Sequence, residues 1–217
     1  MRKEDGLKLS EQQGALIDEL VRVGTDIVAR QMTKASAGNL SIRDPEDTDL
    51  FFVTNSASWL DQLDRSSFTK MSIGGEILEG DSEPSTEWRM HARSYSARKD
   101  ARAVIHAHPK HSVLLDALNR KIRFFTLDHI SYVRSYGLAP FEPNGSIELA
   151  QHVAGQFDHH DLVIMSNHGA ATLGDSVTAA YRKILNLEDA AEMTYRALLL
   201  GDETSAFPEN QTLSVHN

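Results

Sequence analysis

Along residues 11–32, EQQGALIDELVRVGTDIVARQM, the apolar positions Leu16, Ile17, Leu20, Val21, Val23 and Ile27 recur at roughly helical spacing. Ser10 stands where an N-cap belongs. NLSIRD (39–44) and LFFVT (50–54) read as short strands. TEWRMHARSYSARK (86–99) reads as a helix opened by Pro84-Ser85-Thr86, ARAVIHAH (101–108) as a buried strand, and KHSVLLDALN (110–119) as a short helix. Residues 122–136 are expected to hold one or two strands. SIELAQHVAGQF (146–157) reads as a helix capped by Ser146, and DLVIMSNHG (161–169) as a strand ending at Gly169. A long amphipathic helix is predicted from Asp175 to Gly201. The tail, 202–217, has no clear pattern and is expected to be mobile or packed on a neighbour.

Helical and strand patterns are mixed rather than strictly alternating. That points to a central sheet with helices on both sides, not to a Rossmann domain. No glycine-rich fingerprint of dinucleotide or P-loop type is present. A length of 217 residues, with no internal repeat or low-complexity linker, fits one large domain, 1–217. The composition, 41% hydrophobic and 24% charged, is that of a globular chain able to build a core. A formal charge of -9 disfavours nucleic acid as a partner, because phosphate backbones need a basic face. With no cysteine, disulfides, thiolate zinc sites and cysteine nucleophiles are excluded. The opening MRKEDGLKLSEQQ lacks the apolar core of a signal peptide, and no apolar run approaches the ~20 residues that span a bilayer. A cytoplasmic protein without a membrane partner is expected.

Candidate chemistry begins at His106 and His108. Side chains at i and i+2 of a strand share a face, so both imidazoles point together, and Pro109 ends the strand beside them. His168 closes a second apolar strand, and Gly169 after it permits close backbone approach. Three imidazoles from two strand ends match a catalytic zinc with an open fourth position. The spacing fits histidines satisfied within a core as well. His91, His111, His129, His152, His159 and His160 fall on helices or polar loops, and Glu87 and His91 stand at i, i+4 on one helix face, the spacing of a simple helix-surface pair.

Ser85 and Thr86 sit at the predicted helix start, where free amides and the positive dipole end welcome an anion; the same residues also serve as ordinary caps. ASAGNLS (35–41) and VTNSAS (53–58) are two further small polar loops beside strands. Glu87, one step past the cap and near the histidine pair, is suited to moving protons.

Together SAGNLS, VTNSAS, PSTEWRMH, AVIHAH, APFEPNGSIELA, NHGAAT and NLEDAA, in this order from about Leu16 to about Leu200, resemble the class II aldolase/adducin family. The resemblance implies an α/β fold, a three-layer αβα arrangement with a mainly antiparallel central sheet. It implies a homotetramer with sites near subunit interfaces. It assigns Zn2+, or another divalent ion such as Mn2+, Co2+ or Fe2+, to His106, His108 and His168. Glu87 becomes the catalytic acid/base. Asn39, Ser56, Ser85 and Thr86, helped by Ser36, become the phosphate-binding residues. The implied function is a metal-dependent aldolase that cleaves a small sugar phosphate through an enediolate whose charge the ion stabilises.

The sequence departs from the family pattern in three places. Ala57 replaces the usual Gly in the 54–57 loop, the family's tyrosine has no clean counterpart within 122–136, and the tail differs. The runner-up reading is a decarboxylase of a keto or aromatic acid on the same scaffold. An epimerase ranks lower because that branch carries Asp where Glu87 stands, and an adducin-like binding protein because all three histidines are present.

Overall fold

The computed structural model describes residues 7–80 and 82–208. Helix α1, Glu11–Ala29, starts at Ser10 as its pattern requires. The Ser10 hydroxyl accepts the Gln13 amide while the Gln13 side chain accepts the Ser10 amide, so two orphan donors are satisfied reciprocally. The strands are β1 (Asn39–Arg43), β2 (Leu50–Thr54), β3 (Phe68–Ser72), β4 (Ile77–Glu79), β5 (Ala103–Ala107), β6 (Gly137–Ala139), β7 (Leu162–Met165) and β8 (Gly169–Gly174). The remaining helices are α2 (Trp88–Ala97), α3 (Lys110–Ala117), α4 (Ile147–Phe157) and α5 (Val177–Leu199).

All eight strands join one sheet in the order β4-β3-β2-β1-β5-β8-β7-β6. Every neighbouring pair is antiparallel except β6 with β7. Alternate side chains go to opposite faces, and the central strands are buried on both. Leu40, Ile42, Ala103 and Ile105 pack against Ile17 and Leu20 of α1, Leu115 of α3 and Ile184 and Leu187 of α5. Val53, Val104, Val163 and Leu173 pack against Met90 and Tyr95 of α2 and Leu149, Val153 and Phe157 of α4. Each fully buried Leu, Ile or Phe contributes roughly 1.5–3 kcal/mol, so two apolar layers hold the helices on both sides of the sheet. The expected αβα architecture is the one observed.

Several elements differ from expectation. The strand expected to run to Gly169 stops at Met165, turns over Ser166–His168 and returns as β8. GAATLG has little intrinsic strand preference; it is a strand because β5 and β7 pair with it from both sides. The short strands β3, β4 and β6 carry no pattern strong enough to announce them. Helix α2 starts at Trp88 with Glu87 at the N-cap, so Ser85 and Thr86 precede the helix and do not cap it. Residues 122–136 contain no strand but a π-helical turn, His129–Val133. Their apolar residues serve packing: Ile122 and Val133 are buried in the α1/α3/α5 layer. His129 at its centre is fully buried, taking the amides of Phe125 and Thr126 at Nδ1 and donating Nε2–H to Asp189. The tail's described part, 202–208, packs on its own chain, with Arg123 donating to the carbonyls of Asp202 and Ser205 and the Phe207 amide to Phe124. Residues 209–217 lie outside the described residues.

The loop after β2 keeps a left-handed residue although it has lost its glycine: Ala57 has φ +61. An L side chain there costs on the order of 1 kcal/mol. Ala57→Gly is therefore expected to raise unfolding stability by up to about 1 kcal/mol in denaturant titration, the lost strain outweighing the extra unfolded-chain entropy of glycine. A clear destabilisation would show that the Ala57 methyl contributes packing that offsets its strain.

Candidate metal centre and active site

Strand register brings the first pieces together. His106 in β5 lies opposite Asn39 in β1 and Ala171 in β8. Val104 faces the α2/α4 layer, so His106, two residues on, faces α2 as well. The His106 ring is fully buried, and its Nδ1 lies 3.0 Å from the Ala170 carbonyl oxygen. A carbonyl only accepts, so Nδ1 carries the hydrogen and Nε2 is turned toward the cluster. His108 follows one residue beyond β5, its amide held by the Met32 carbonyl at 2.8 Å. His168 sits in the β7–β8 turn, with its amide on the Met165 carbonyl at 3.0 Å. Asn167 takes the left-handed conformation that makes this turn tight, φ +56, a conformation Asn tolerates.

The three rings pack with centroids 4.8, 4.9 and 5.2 Å apart. Their ligand nitrogens all lie within 4.8 Å of one another. Gly169 makes this packing possible: a Cβ there would meet the Ala107 carbonyl at 2.6 Å, His108 Cδ2 at 2.8 Å and His106 Cε1 at 2.9 Å. Burial and the neighbouring imidazoles push His108 down to about 3 and lower His168, so both rings keep their lone pairs at neutral pH. Burial lowers His106 too, but the Glu87 carboxylate outweighs it and raises that group.

Glu87 closes the cluster from the helix side. It is 3% exposed. Oε2 accepts from Asn39 Nδ2 at 2.8 Å and lies 3.2 Å from His106 Nε2. Oε1 lies 3.6 Å from His168 Nε2 and finds no hydrogen-bond partner among the described residues. Burial alone would raise this carboxyl, but His106, His168 and Asn39 bring it well below the usual carboxylate range.

This donor set fits a divalent ion. A tetrahedral ion at about 2.1 Å from each nitrogen would set them roughly 3.4 Å apart, close to the 3.1 Å between His106 Nε2 and His108 Nε2 and within the 4.8 Å that bounds the cluster. The buried Oε1 without a partner is the kind of atom that an ion or a substrate satisfies.

The histidines open onto a cavity of about 160 Å³. Ser36, Asn39, Ser56, Ser85, Thr86 and Glu87 all line it, together with His108 and His168, while His106 is fully buried behind them and does not. Among the described residues, no Lys or Arg lines it. The Ser56 and Ser85 amides already donate to the carbonyls of Glu83 and Thr54; the Ser85 hydroxyl oxygen accepts the Glu87 amide at 3.3 Å and keeps its hydrogen to donate to a ligand. Asn55 and Asn144 also line the cavity and were missed; both are ordinary loop residues in sequence, and only the converging turns reveal them. His91 is another correction. It is not on a helix surface but fully buried, between Ser41 and Asn39. No residue of 122–136 lines this cavity. A larger hollow of about 880 Å³, between 116–138 and residues 204–207, shares no residue with the histidine cluster.

Fold and cluster define a class: an αβα protein on a mainly antiparallel sheet, with a three-imidazole centre where strands end. Residues 18–195 match the model for the class II aldolase and adducin N-terminal domain, and the chain belongs to that family. It is 31% identical over 173 residues to an L-fuculose phosphate aldolase of Methanococcus maripaludis, covering 80% of this chain and 92% of that one. It is 30% identical over 193 residues to a 3-oxo-tetronate 4-phosphate decarboxylase of Escherichia coli, covering 87% and 88%. A solved L-fuculose 1-phosphate aldolase superimposes with a TM-score of 0.83 at 27% identity, over 94% of this chain and 93% of that one.

Gly169→Ala is expected to drive a methyl group into the His106 and His108 rings and to cut bound divalent metal at least about tenfold, measured as metal per chain after dialysis. Metal retained at the wild-type level in a folded variant would show that the cluster does not depend on this close approach.

Proposed function

We propose that this chain is a divalent-metal-dependent lyase of the aldolase type that cleaves a small sugar phosphate. The observation that carries the reading is Glu87 Oε1, buried and without a partner, beside three converging imidazoles. His106, His108 and His168 would hold the ion, and three imidazoles suit zinc best, with Mn2+, Co2+ or Fe2+ as alternatives. A divalent ion bound there supplies Lewis-acid polarisation of the substrate carbonyl and stabilisation of the negative charge that develops. The hydroxyls of Ser36, Ser56, Ser85 and Thr86 would bind the phosphate, with the Asn39 amide beside them.

Glu87 carries the proton. Asn39 fixes Oε2, so Oε1 is the oxygen that takes or gives it. In cleavage, the bond between the third and fourth carbons of a ketose phosphate breaks. Its electron pair moves into the adjacent carbonyl and leaves an enediolate; the fourth carbon departs as an aldehyde. The net proton movement is from the hydroxyl on the fourth carbon to the third carbon, with Glu87 delivering it.

The second reading, decarboxylation of a keto acid phosphate, is favoured by the 30% identity to the decarboxylase relative. It breaks a carbon–carboxylate bond, releases carbon dioxide and leaves an enediolate of the same kind. NMR of the products, aldehyde or carbon dioxide, separates the two. Assembly as a homotetramer with sites near subunit interfaces is consistent with the exposed apolar side chains of Leu127, Leu138 and Phe141. No helix among the described residues is long and apolar enough to cross a membrane, which is consistent with a cytoplasmic enzyme.

Glu87→Gln is expected to retain metal and fold but to lower turnover roughly 10²–10⁴-fold. Wild-type turnover in that variant would reduce Glu87 to a helix cap. Phosphoglycolohydroxamate is expected to inhibit competitively, and the Ser85→Ala/Thr86→Ala double variant to weaken that inhibition at least about tenfold. No inhibition, with turnover of an unphosphorylated acid, would remove phosphate from the reading.

A further inference from the structure

Strand β1 and helix α2 present two polar rows to each other inside an otherwise apolar layer. Asn39 and Ser41 share one face of β1; Glu87, His91 and Tyr95 recur every four residues along α2 and the residue before it. A helix rises about 6 Å in four residues and a strand about 6.6 Å in two, so the rows stay in register. Tyr95 Oη lies 2.7 Å from Ser41 Oγ, Ser41 Oγ 2.6 Å from His91 Nδ1, His91 Nε2 2.6 Å from Asn39 Oδ1, and Asn39 Nδ2 2.8 Å from Glu87 Oε2. Tyr95, Ser41 and His91 are fully buried, and Asn39 is 4% exposed.

The direction of every bond follows from its end point. The Glu87 carboxylate only accepts, so Asn39 must turn its amino group toward it. Asn39 Oδ1 then only accepts, so His91 Nε2 bears the hydrogen. Burial lowers His91 to about 3, so the ring is neutral and Nδ1 is a lone pair. Ser41 must donate to it, and the Tyr95 hydroxyl must donate to Ser41; burial raises Tyr95 and keeps it protonated. The Tyr95 hydroxyl also lies 3.4 Å from the Arg102 carbonyl, a longer secondary contact. Without the His91 hydrogen the carboxylate would still draw the amino group, but Asn39 Oδ1 would be a buried acceptor stripped of its His91 donor, and the amide would lose the second of its two anchors.

We propose that His91 is a positioning residue for Glu87: it fixes the orientation of the Asn39 amide, which in turn holds Oε2 and leaves Oε1 free to exchange a proton with substrate. This rests on the lyase reading for its kinetic consequence, though the hydrogen-bond chain does not.

The test compares wild type, His91→Leu and His91→Gln, the last retaining a side-chain N–H donor near the Nε2 position. The probe is dihydroxyacetone phosphate in D2O, with exchange of the hydrogen next to its carbonyl followed by NMR. His91→Leu is expected to lose roughly 10–100-fold in maximal exchange rate with KM within about twofold and metal per chain unchanged. His91→Gln is expected to recover to within about threefold of wild type. Wild-type exchange in His91→Leu, or a glutamine variant no better than leucine, would overturn the positioning role. Loss of metal or a large rise in KM would also overturn it, in favour of a purely structural residue. Crystal structures of the three proteins give a readout free of turnover: Glu87 is expected displaced in His91→Leu and restored in His91→Gln. If wild type exchanges no hydrogen, the lyase reading fails by itself, and the structures decide the positioning role. An unmoved Glu87 in His91→Leu overturns it.

Discussion

A carboxylate cannot be left bare in a protein interior, and the active-site side of this molecule is organised around that constraint. Glu87 is buried at the start of α2, where the helix dipole favours its charge. One oxygen has Asn39 and lies beside His106; the other has no hydrogen-bond partner among the described residues and lies 3.6 Å from His168 Nε2. Taking such a charge out of water costs several kcal/mol unless partners compensate. The histidines, the amide and a divalent ion, when one is bound, are those partners. Removing any one of them takes away part of the compensation for that desolvation, which links folding of the site to its chemistry.

The sheet makes that arrangement rigid. β1, β5 and β8 lie side by side at the centre, and their register puts Asn39 next to His106 and sets small residues of β8 on the other side. Gly169 has no Cβ to keep the rings apart. Ala170 lends the carbonyl that orients His106. Sites supported by strands are more precise than sites built on loops alone: His106 is in β5, His108 is one residue past it, and His168 is in the tight β7–β8 turn, while longer loops supply the part that must admit a ligand.

That part, on the proposed reading, would recognise an anion without cations. The chain carries a formal charge of -9, and among the described residues no Lys or Arg lines the cavity beside the histidines. Hydroxyls and amides bind a small anion through hydrogen bonds that must all be made at once. That favours a compact ligand over a long polyanion, and metal positive charge would complete the balance.

Much of the molecule was legible in its sequence. The Ser10 and Ser146 caps and the period of the long helices are local properties; α4 and α5 follow from them within a residue or two and α1 within three, while the cap of α5 is Ser176 rather than the expected Asp175. His106 and His108 share a face because strands have period two. What the sequence hid depends on neighbours far along the chain. GAATLG becomes a strand only because β5 and β7 flank it, and residues 122–136, apolar enough for a strand, pack as a π-helical turn around a buried histidine. His91 looked like a surface partner of Glu87 because i, i+4 spacing fixes only a shared helix face. Whether that face meets water or a strand is decided by tertiary packing, and here it meets Asn39 and Ser41. Local chemistry determined which side chains were available, and long-range strand pairing decided which of them meet, because hydrogen-bond register across a sheet is fixed by residues dozens of positions apart.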